Sequence, residues 1–374
     1  MTLLISVNSA WNIVNYRMGL VNFLQGLGHK LILLVPPDDH LPTLTQMGFQ
    51  VIPLTMNPRS LNPLDDLKLY LAYRRIFRQL KNQGPLVYLG FTIKPNIYGN
   101  LAARSYKIPC INNIAGLGTL FVGNTPITFL AKTLYRIALG KAYKVFFQNV
   151  DDKDFFLSKG IVQPPQALLL PGSGVNTNQF FPTPMPPLPL RCILVGRLFK
   201  DKGVHEYAQA AAQIRSRYPQ VQFDLLGFIN PNSKDSITQA DLDQWANDGT
   251  ITYLGSTNDV RPAIQNAHCL VLPTYYREGT PRTLLEASAL GRVLITTDTP
   301  GCRDVLDPGK NGYFCEPRSV PSLVQAIEAL LALDHQGLQT MGTYSRQKVE
   351  QEFREELVLD RYGQVIQELT EKGW

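Results

Sequence analysis

Cysteine and histidine are scarce in this chain of 374 residues, which contains five of each. The cysteines never form a C-x-x-C pair, and the histidines form no H-E-x-x-H motif. Scattered thiols in an odd number are typical of reduced cysteines in a cytoplasmic protein and not of a disulfide framework. Because no residues are spaced like the ligands of a catalytic transition metal, we predict no metal site and no cofactor.

Long apolar runs are also missing. No stretch approaches the roughly 20 apolar residues that cross a bilayer. Residues 1–7 lack the basic region and the cleavage site of a signal peptide. The chain is 44% hydrophobic and 18% charged, which is typical of a globular protein. We therefore expect a cytoplasmic protein that does not cross a membrane.

Glutamate is absent before Glu206, and this absence makes the charge uneven along the chain. Residues 1–182 carry 17 Lys and Arg against 7 Asp, whereas residues 183–374 carry 19 Lys and Arg against 23 Asp and Glu. A basic first half indicates an anionic partner: nucleic acid, anionic lipid or a phosphate-bearing substrate. Its aromatic side chains do not alternate with the cations as a stacking platform for bases requires, so we predict no nucleic-acid partner.

Two basic stretches of the first half, residues 64–83 and 126–144, show the periodicity of helices. Both mix apolar side chains with lysine and arginine. Such a face suits contact with an anionic membrane surface, and a solvated basic face is the alternative. We predict a peripheral protein on the inner face of the cell membrane.

Residues 181–190 contain five prolines, so neither a helix nor a central strand persists there. We predict a linker at 182–190 between domains at 1–182 and 191–353. On both sides short apolar runs alternate with helical periodicity, the pattern of β-α-β units and parallel sheets. The sequence thus predicts an α/β fold of two Rossmann-like domains that face each other across a cleft, with a helix at about 354–372 crossing back to the first domain. Strands are expected near 3–7, 31–35, 51–54, 86–89, 109–112, 144–147, 167–170, 191–195, 222–226, 250–254, 269–272 and 293–296, and a further helix at 322–333.

The first β-α connection, residues 8–20, lacks the G-x-G-x-x-G pattern of dinucleotide-binding proteins. A nicotinamide-dependent enzyme is therefore disfavoured. Gly19 nevertheless stands at the start of a predicted helix, where a glycine lets a backbone amide approach an anion closely. Gly19 is thus a candidate phosphate contact, and a simple turn is the alternative.

The second half opens with a strand that runs into Gly196-Arg197 and then Lys202-Gly203 before a helix. Open α/β sheets bind ligands at the carboxyl ends of their strands. Arg197 offers a planar guanidinium and Lys202 a compact charge, a pair suited to a diphosphate leaving group. A surface ion pair is the alternative interpretation.

The most specific pattern of the chain is a strand, a loop and then Gly279-Thr280-Pro281 at the start of a helix. Pro281 suits the first helical position, where its missing N–H costs nothing. Three free amides at the helix start would then form an anion site, reinforced by the helix dipole. These are the amides of Arg282, Thr283 and Leu284.

A carboxylate stands on each side of this motif. Glu286 lies one helical turn beyond Arg282, where it can reach the two hydroxyls of a ribose. Glu278 precedes the helix, where it can hydrogen-bond a second hydroxylated ring. A cap or a solvated surface charge is the alternative for each. A loop at 297–305 also ends a strand and is a candidate lining of the same cleft, with a structural turn as the alternative.

With these residues the chain resembles the retaining glycosyltransferases of family 4, which have the GT-B fold of two Rossmann-like domains. The resemblance extends over nearly the whole chain and rests on four features. These are Glu278 and Glu286 with seven residues between them, Gly196-Arg197 with Lys202, residues 171–180, and residues 300–304.

This resemblance implies roles for individual residues. Arg197 and Lys202 would neutralise a nucleotide diphosphate, Glu278 would hold the donor sugar and Glu286 would bind the ribose. Gly19 would lie near the β-phosphate. Catalysis would then consist mainly of positioning and charge stabilisation.

Residues 91–99 and 111–119 resemble the branch of this family that builds capsule, O-antigen and exopolysaccharide units on a lipid diphosphate. The resemblance implies a nucleotide-sugar donor, with UDP expected, and a polyprenyl-diphosphate-sugar acceptor. Many relatives carry a histidine at the end of the preceding strand, whereas residues 87–91 here read Val-Tyr-Leu-Gly-Phe. No carboxylate of the first domain is an obvious nucleophile, so a front-face displacement is the most economical retaining route.

Two D-x-D patterns, at 152–154 and 241–243, match the manganese site of the other large transferase fold, but helix capping explains the first more simply. We therefore expect a metal-independent, retaining hexosyl- or N-acetylhexosaminyltransferase. Two alternatives stay open: an inactive nucleotide-sugar-binding subunit and a GT-B-like nucleotide-sugar epimerase. The epimerase needs acids and a histidine in the cleft, which the first domain does not offer.

Overall fold

A computed structural model describes residues 1–57, 60, 62–118, 126–231 and 233–374 of the chain. The chain folds into two compact units. Unit 1 consists of Met1–Ser173 and Glu356–Trp374, and unit 2 of Gly174–Glu355. Each unit contains one parallel sheet with helices packed on it, which confirms the predicted α/β fold of two similar domains.

The sheet of unit 1 has seven strands, most of them short apolar runs, as expected for a parallel sheet that is covered on both faces. They are β1 (Thr2–Ser6), β2 (Lys30–Val35), β3 (Gln50–Pro53), β4 (Leu86–Phe91), β5 (Cys110–Ile114), β6 (Lys144–Phe147) and β7 (Ala167–Leu169). They pair in the order β3-β2-β1-β4-β5-β6-β7. The predicted strands of the first half are therefore confirmed.

Helices cover both faces of this sheet. They are α1 (Ala10–Tyr16), α2 (Met18–Gly26), α3 (Leu41–Gln46), α4 (Pro63–Leu80), α5 (Asn100–Arg104), α6 (Pro126–Leu139), α7 (Val150–Ser158) and α14 (Glu355–Glu371). Leu3 and Ile5 of β1 pack with α1, α2 and α14, whereas Leu4 packs with α4 and α5. Successive residues of a strand point to opposite faces, so these contacts define two helix layers.

The last helix confirms the predicted return of the chain to the first domain. Val358, Tyr362 and Val365 of α14 are buried in the same core as β1 and α2. Their spacing places them on one face of the helix. The end of the chain is thus part of the core of unit 1.

The sheet of unit 2 has six strands. They are β8 (Arg191–Val195), β9 (Gln222–Leu226), β10 (Thr252–Tyr253), β11 (Cys269–Leu272), β12 (Val293–Thr297) and β13 (Gly312–Cys315). They pair in the order β10-β9-β8-β11-β12-β13. The sequence does not predict β13, which forms one edge of this sheet.

Six helices pack on the unit 2 sheet. They are α8 (Val204–Arg217), α9 (Gln239–Asn247), α10 (Arg261–Gln265), α11 (Arg282–Ala289), α12 (Val320–Leu331) and α13 (His335–Glu352). The sequence predicts α12 at 322–333 but does not predict α13. Ile193 and Val195 of β8 pack with α10 and α11, whereas Cys192 and Leu194 pack with α8 and α12.

The proline-rich segment at 182–190 packs against unit 2. Arg292 is fully buried, and its guanidinium donates hydrogen bonds to the carbonyl oxygens of Thr183 and Pro184, both at 3.3 Å. A buried guanidinium needs such acceptors, so it fixes the segment to the unit. The boundary between the units therefore falls before Gly174, upstream of the predicted linker.

Candidate functional site

The carboxyl end of the unit 2 sheet has the geometry of a ligand site. β8 and β11 are neighbours in the sheet, yet the chain leaves β8 toward β9 on one side and leaves β11 toward β12 on the other. This point is the topological switch point of the sheet, which is where open α/β sheets bind ligands. The first loop spans residues 196–203, and the second spans residues 273–281.

Hydrogen bonds tie these two loops together. The carbonyl oxygen of Asp201 accepts the N–H of Tyr275 (2.9 Å) and the hydroxyl of Thr274 (3.0 Å). Gly203 has a φ of +75°, and a Cβ there would lie 2.2 Å from the carbonyl oxygen of Pro273. Only glycine fits at this contact, so the close approach of the second loop explains the glycine of the first.

Lys202 and Glu278, which the sequence assigns to phosphate and sugar, form an ion pair across the two loops. Their side chains are only 13% and 11% exposed. Thr274 Oγ1 lies 3.4 Å from Glu278 Oε1, and the Lys202 ammonium lies 5.5 Å from the centre of the Tyr276 ring. The two charges thus orient each other inside a partly buried polar pocket.

Arg197 lies in the same loop as Lys202 and is exposed. Its guanidinium carbon lies 4.9 Å from the centre of the Phe199 ring. Burial raises the pKa of the Asp201 carboxyl and of the Tyr276 hydroxyl; Glu278 raises both further, and Arg197 lowers both. The structure therefore pairs Lys202 with Glu278 across two loops, and Arg197 stands at the start of the loop that carries Lys202.

The helix start after this loop corrects the prediction for Pro281. Pro281 is the N-cap of α11, with an extended ψ of 117°, and Arg282 is the first helical residue. The φ of proline, here −62°, suits both positions, so the sequence alone does not distinguish them. Gly279 and Thr280, which precede it, are buried.

The predicted anion site of three free amides also needs correction. The carbonyl oxygen of Pro281 accepts the N–H of Leu284 at 3.1 Å. An N-cap carbonyl accepts the first hydrogen bond of its helix, so the Leu284 amide is already used. Thr283 adds a feature that the sequence did not reveal: its Oγ1 is buried and has no hydrogen-bond partner in the described ranges of the chain.

Glu286 pairs within its own helix. Arg282 Nε lies 2.9 Å from Glu286 Oε1, and the two side chains are one helical turn apart. Burial raises the pKa of the Glu286 carboxyl, and the charge of Arg282 opposes this shift. The carboxylate that the sequence assigns to a ribose is therefore held in place at the first turns of α11.

A third loop, after β12, contacts the second. Gly301 has a φ of +80°, and a Cβ there would lie 1.3 Å from the carbonyl oxygen of Gly279. Thr297 Oγ1 donates a hydrogen bond to the carbonyl oxygen of Thr274 at 2.6 Å. The loop at 297–305 thus supports the residues around Glu278, as its position after a strand indicated.

Two residues of the site are not singled out by the sequence analysis. Asp201 carries a buried Oδ1 with no hydrogen-bond partner among the described residues. Thr274 contacts Asp201 and Glu278 through one hydroxyl. Asp201 stands between Lys200 and Lys202, so the sequence suggests a local ion pair and not a carboxylate next to Glu278. Only the approach of the two loops reveals both roles.

Unit 1 has a corresponding switch point between β1 and β4. Gly19 is the second residue of α2, in the segment that follows β1, and its assignment to the donor phosphate stays a prediction. After β4, Lys94 Nζ lies 2.6 Å from Asp66 Oδ1, and the Tyr98 hydroxyl donates to Asp66 Oδ2 at 2.7 Å. Lys94 is thus neutralised locally and buried.

Side-chain amides dominate the same end of the unit 1 sheet. Asn112 Nδ2 donates to Asn96 Oδ1 (2.9 Å), and Asn113 Nδ2 donates to the Tyr362 hydroxyl of α14 (3.0 Å). All four side chains are buried. The Asn112-Asn113 pair inside an apolar strand is the sequence signal for this network, which joins the last helix to the sheet.

Each D-x-D pattern lies at the start of a helix. Asn149 caps the first helix by accepting the N–H of Asp152 (2.8 Å), and its Nδ2 donates to Asp152 Oδ2 (3.2 Å). In the second pattern an acid takes part in the cap, since Asp241 Oδ2 accepts the N–H of Thr238 (2.7 Å). In the part of the chain that the structure describes, no three His, Cys, Asp or Glu side chains converge as metal ligands would. None of the helices in that part has the length and apolar content of a membrane span.

Two family models match the chain. The model described as "glycosyl transferase 4-like" matches residues 3–149, and the model described as "glycosyl transferases group 1" matches residues 189–333. Each match covers one of the two sheets almost completely. Together they cover most of the chain.

Individual proteins are similar over most of the chain. The N,N'-diacetylbacillosaminyl-diphospho-undecaprenol alpha-1,3-N-acetylgalactosaminyltransferase of Campylobacter jejuni is 24% identical over 339 residues, 86% of each chain. Sucrose-phosphate synthase from Thermosynechococcus elongatus superposes with a TM-score of 0.81 and 19% identity over 100% of both chains. HepE from Anabaena, solved with UDP and glucose, superposes with a TM-score of 0.77 and 17% identity, over 98% of this chain and 100% of HepE.

The structural likenesses establish the fold, and the family models establish the family. The motifs that carry the resemblance, Gly196-Arg197 with Lys202 and Glu278 with Glu286, lie in the matched range of the second model. The chain therefore belongs to the group 1, 4-like glycosyltransferases, which have the GT-B fold.

Proposed function

We propose that the chain transfers a sugar from a UDP-linked donor to a lipid-diphosphate-linked glycan, with retention of anomeric configuration and without a metal ion or other cofactor. The observation that carries the proposal is the Lys202–Glu278 ion pair at the switch point of the unit 2 sheet, with Arg197 in the same loop as Lys202. Two cations beside a carboxylate match the two parts of a nucleotide sugar, the diphosphate and the sugar hydroxyls.

The names of relatives support the finer parts of this proposal. The Campylobacter relative is named for an acceptor built on diphospho-undecaprenol. HepE was solved with UDP and glucose. A UDP-linked donor and a lipid-diphosphate acceptor for this chain are extrapolated from these names and from the charges of its own site.

In the proposed reaction, the bond between the anomeric carbon and the leaving phosphate oxygen breaks. The bond to an acceptor hydroxyl forms on the same face of the sugar, and the acceptor proton passes to an oxygen of the departing diphosphate. Arg197 and Lys202 stabilise the negative charge that develops on this diphosphate. Glu278 positions the sugar through its hydroxyls, and Glu286 positions the ribose.

The Lys202–Glu278 pair gives this site its polarity. The ammonium side suits the phosphate and the carboxylate side suits the sugar hydroxyls, so a donor is oriented by charges that are already fixed. Thr274 contacts Glu278, and Asp201 holds the loop of Thr274, so both act as positioning residues.

We further propose that the protein works as a peripheral protein on the inner face of the cell membrane. A lipid-diphosphate acceptor is anchored in a bilayer, so the enzyme meets it at the membrane surface. The basic helices α4 and α6 of unit 1 suit contact with anionic lipid. Cosedimentation with vesicles tests this part independently of the chemistry.

The release of UDP from a UDP-sugar tests the assignment of the site. We expect Glu278→Gln to lower this release by about 10³-fold or more, because a group that holds the reacting sugar is lost. Glu328→Gln is the matched control, since Glu328 is a surface partner of Arg217 in the same unit. Equal rates for the two variants would overturn the assignment.

The same assay separates the remaining alternatives. The parent protein is expected to release UDP at the same rate with and without EDTA. A loss of activity in EDTA that manganese restores would refute metal independence. The anomeric configuration of the product, read by NMR, decides retention. A parent protein that binds a UDP-sugar but releases no UDP would be a binding subunit, and an epimerised nucleotide sugar would identify an epimerase.

A further inference from the structure

Unit 1 contains a long stretch without acidic residues. Residues 67–150 include no Asp or Glu but 12 Lys and Arg. This stretch runs through α4, α5 and α6, which pack on one face of the unit 1 sheet. Apart from Asp65 and Asp66 in the first turn of α4, the charged residues of these three helices are therefore all positive, which favours an anionic partner.

The same layer exposes apolar side chains. Leu64, Leu67 and Leu71 of α4 are more than half exposed, and they recur at intervals that place them on one side of the helix. Phe129 of α6 is 73% exposed, and its neighbour Leu130 is also exposed. Exposed apolar residues among cations are typical of helices that lie in a membrane interface.

A groove opens at one end of this layer. Its volume is about 950 Å³, and it lies between α4, α5, α6 and the end of the chain. Three cations line it: Arg104, Lys107 and Lys141. Three large aromatic residues also line it: Tyr70, Tyr143 and Trp374. None of the described residues that line this groove is acidic.

The groove is separate from the ligand-binding edge of its sheet. Lys107 precedes β5, and Lys141 and Tyr143 precede β6. The groove therefore lies at the amino ends of the strands, whereas Rossmann-like sheets bind their substrates at the carboxyl ends. A ligand here does not compete with a substrate of unit 1.

The cations of the groove have few partners. Arg104 donates a hydrogen bond to the carbonyl oxygen of Ile137. Lys107 and Lys141 are exposed, and neither has an ion pair with any residue in the described ranges. Glu368 accepts a hydrogen bond from the Tyr143 hydroxyl of the groove at 3.0 Å. Two ammonium groups are thus available to an anion.

We infer that this groove binds the phosphate headgroup of an anionic phospholipid when the α4–α6 layer lies on a bilayer. This inference rests on the proposed action at a membrane surface and names the lipid that holds the protein there. Lys107 and Lys141 contact the phosphate, while Tyr143 and Trp374 lie at the level of the headgroups, where tyrosine and tryptophan are favoured. The leucines of α4 favour a bilayer over free phosphate, because only a bilayer offers them hydrocarbon.

Vesicle binding of the whole chain tests this inference. The test variant carries Lys107→Asn and Lys141→Gln. Lys107 has a φ of +59°, which asparagine adopts more readily than lysine, so the first change does not strain the fold. The control variant carries Lys30→Gln and Lys310→Gln, two exposed lysines outside the groove, and has the same net charge.

Vesicles of phosphatidylglycerol and phosphatidylcholine should bind the test variant about 30-fold more weakly than the parent, the effect of two basic residues at an anionic surface. The control variant should bind within a few-fold of the parent, because its lysines lie outside the groove. Equal weakening of both variants would show that only net charge matters and would overturn the inference.

A second measurement reports on the groove directly. Trp11→Phe with Trp245→Phe leaves Trp374 as the single tryptophan. Its fluorescence should be quenched by brominated phosphatidylglycerol in vesicles and unchanged by inorganic phosphate. Absence of quenching, or an equal response to inorganic phosphate, would contradict a phospholipid site.

The release of UDP from a soluble UDP-sugar, assayed without lipid, should be the same in the parent and the groove variant. Lost vesicle binding with unchanged UDP release supports the inference. An inactive parent whose Trp374 still responds to lipid would refute the proposed function but not the lipid site.

Discussion

Units 1 and 2 share one architecture but differ at the carboxyl ends of their strands. In unit 2 this edge carries the Lys202–Glu278 ion pair, with Arg197 in the same loop as Lys202. In unit 1 it carries a chain of buried amides and the Lys94–Asp66 pair. The fold thus supplies the place for a ligand, whereas the side chains after each strand decide the chemistry.

The two units also differ in how their acids are distributed. Unit 1 has no acid between residues 67 and 150, while the acids of unit 2 are spread along its sequence and several pair with cations. Ion pairs within unit 2 reduce the electrostatic field around it, whereas the fields of the cations between residues 67 and 150 of unit 1 reinforce one another. Unit 2 is thus suited to a small charged ligand and unit 1 to an extended anionic surface.

The largest expected difference between the units concerns the lysines of their two ion pairs, Lys202 and Lys94. Lys202→Gln should lower kcat/KM for sugar transfer by about 10³-fold, because a cation at the leaving diphosphate is lost. Lys94→Gln should instead lower the free energy of unfolding by about 3 kcal/mol, because Asp66 then remains without its cation. UDP release and thermal unfolding of both variants measure this. The comparison breaks down if Lys94→Gln abolishes UDP release in a protein that is still folded.

A smaller effect is expected at the loop that supports the unit 2 site. Gly301→Ala should destabilise the chain by about 3 kcal/mol, because the new Cβ overlaps the Gly279 carbonyl oxygen and the backbone there is left-handed. Gly309→Ala is the matched control. Its φ of +79° is the same within a degree, but a Cβ there meets open space.

For Gly309→Ala only the strain of a left-handed alanine remains, about 1 kcal/mol. Thermal unfolding gives the difference between the two variants, and UDP release should fall only in Gly301→Ala. If both variants lose the same stability, the contact between the second and third loops does not support the site.

The smallest effect is expected at Asp201, whose buried Oδ1 has no hydrogen-bond partner among the described residues of unit 2. Burial raises the pKa of its carboxyl above the ordinary value, so the folded chain binds this proton more tightly than the unfolded chain. Stability from this group is therefore present at low pH and is lost as the pH rises through the raised pKa. Asp201→Asn should stabilise the chain at pH 7 by about 0.5 kcal/mol after solvent screening.

This gain in stability should disappear as the pH falls below the ordinary pKa of aspartate, because the Asp201 carboxyl is then protonated in both the folded and the unfolded chain. Thermal unfolding at several pH values measures it. A gain that is independent of pH would show that the shape of asparagine, and not the charge, is responsible. Lower UDP release in the more stable variant would indicate that the carboxylate is kept for function.

Most strands could be predicted from the sequence, because buried parallel strands are runs of apolar residues. The strand β13 (Gly312–Cys315) was not predicted because it is a short edge strand that begins with a glycine. Helix α13 was not predicted from the sequence because two of its buried positions are the non-apolar residues Gly342 and Ser345. A Cβ on Gly342 would lie 2.2 Å from the Gly291 carbonyl oxygen, so the close packing of the backbone requires glycine at this position. The apolar periodicity by which a helix is recognised is therefore interrupted there.

The sequence was enough to select candidate residues for the site, but it did not predict which of them pair with each other. Arg197, Lys202 and Glu278 were visible because cations and carboxylates follow strands in an α/β pattern. That Lys202 pairs with Glu278, and that Asp201 lies beside them, depends on two loops 70 residues apart along the chain. Hydrogen bonds to the Asp201 carbonyl oxygen set this distance, and no local pattern encodes it.

The class of fold and the positions of most strands follow from local periodicity, and the candidate residues for a diphosphate follow from residue chemistry, so the sequence is enough to predict them. Tertiary structure alone decided three other features. It paired the charges of the site, it fixed the proline-rich segment to unit 2 through Arg292, and it gathered Lys107, Lys141 and Trp374 around one groove. The physical reason is that each of these contacts joins residues distant in sequence, and only the packing of whole elements brings such residues together.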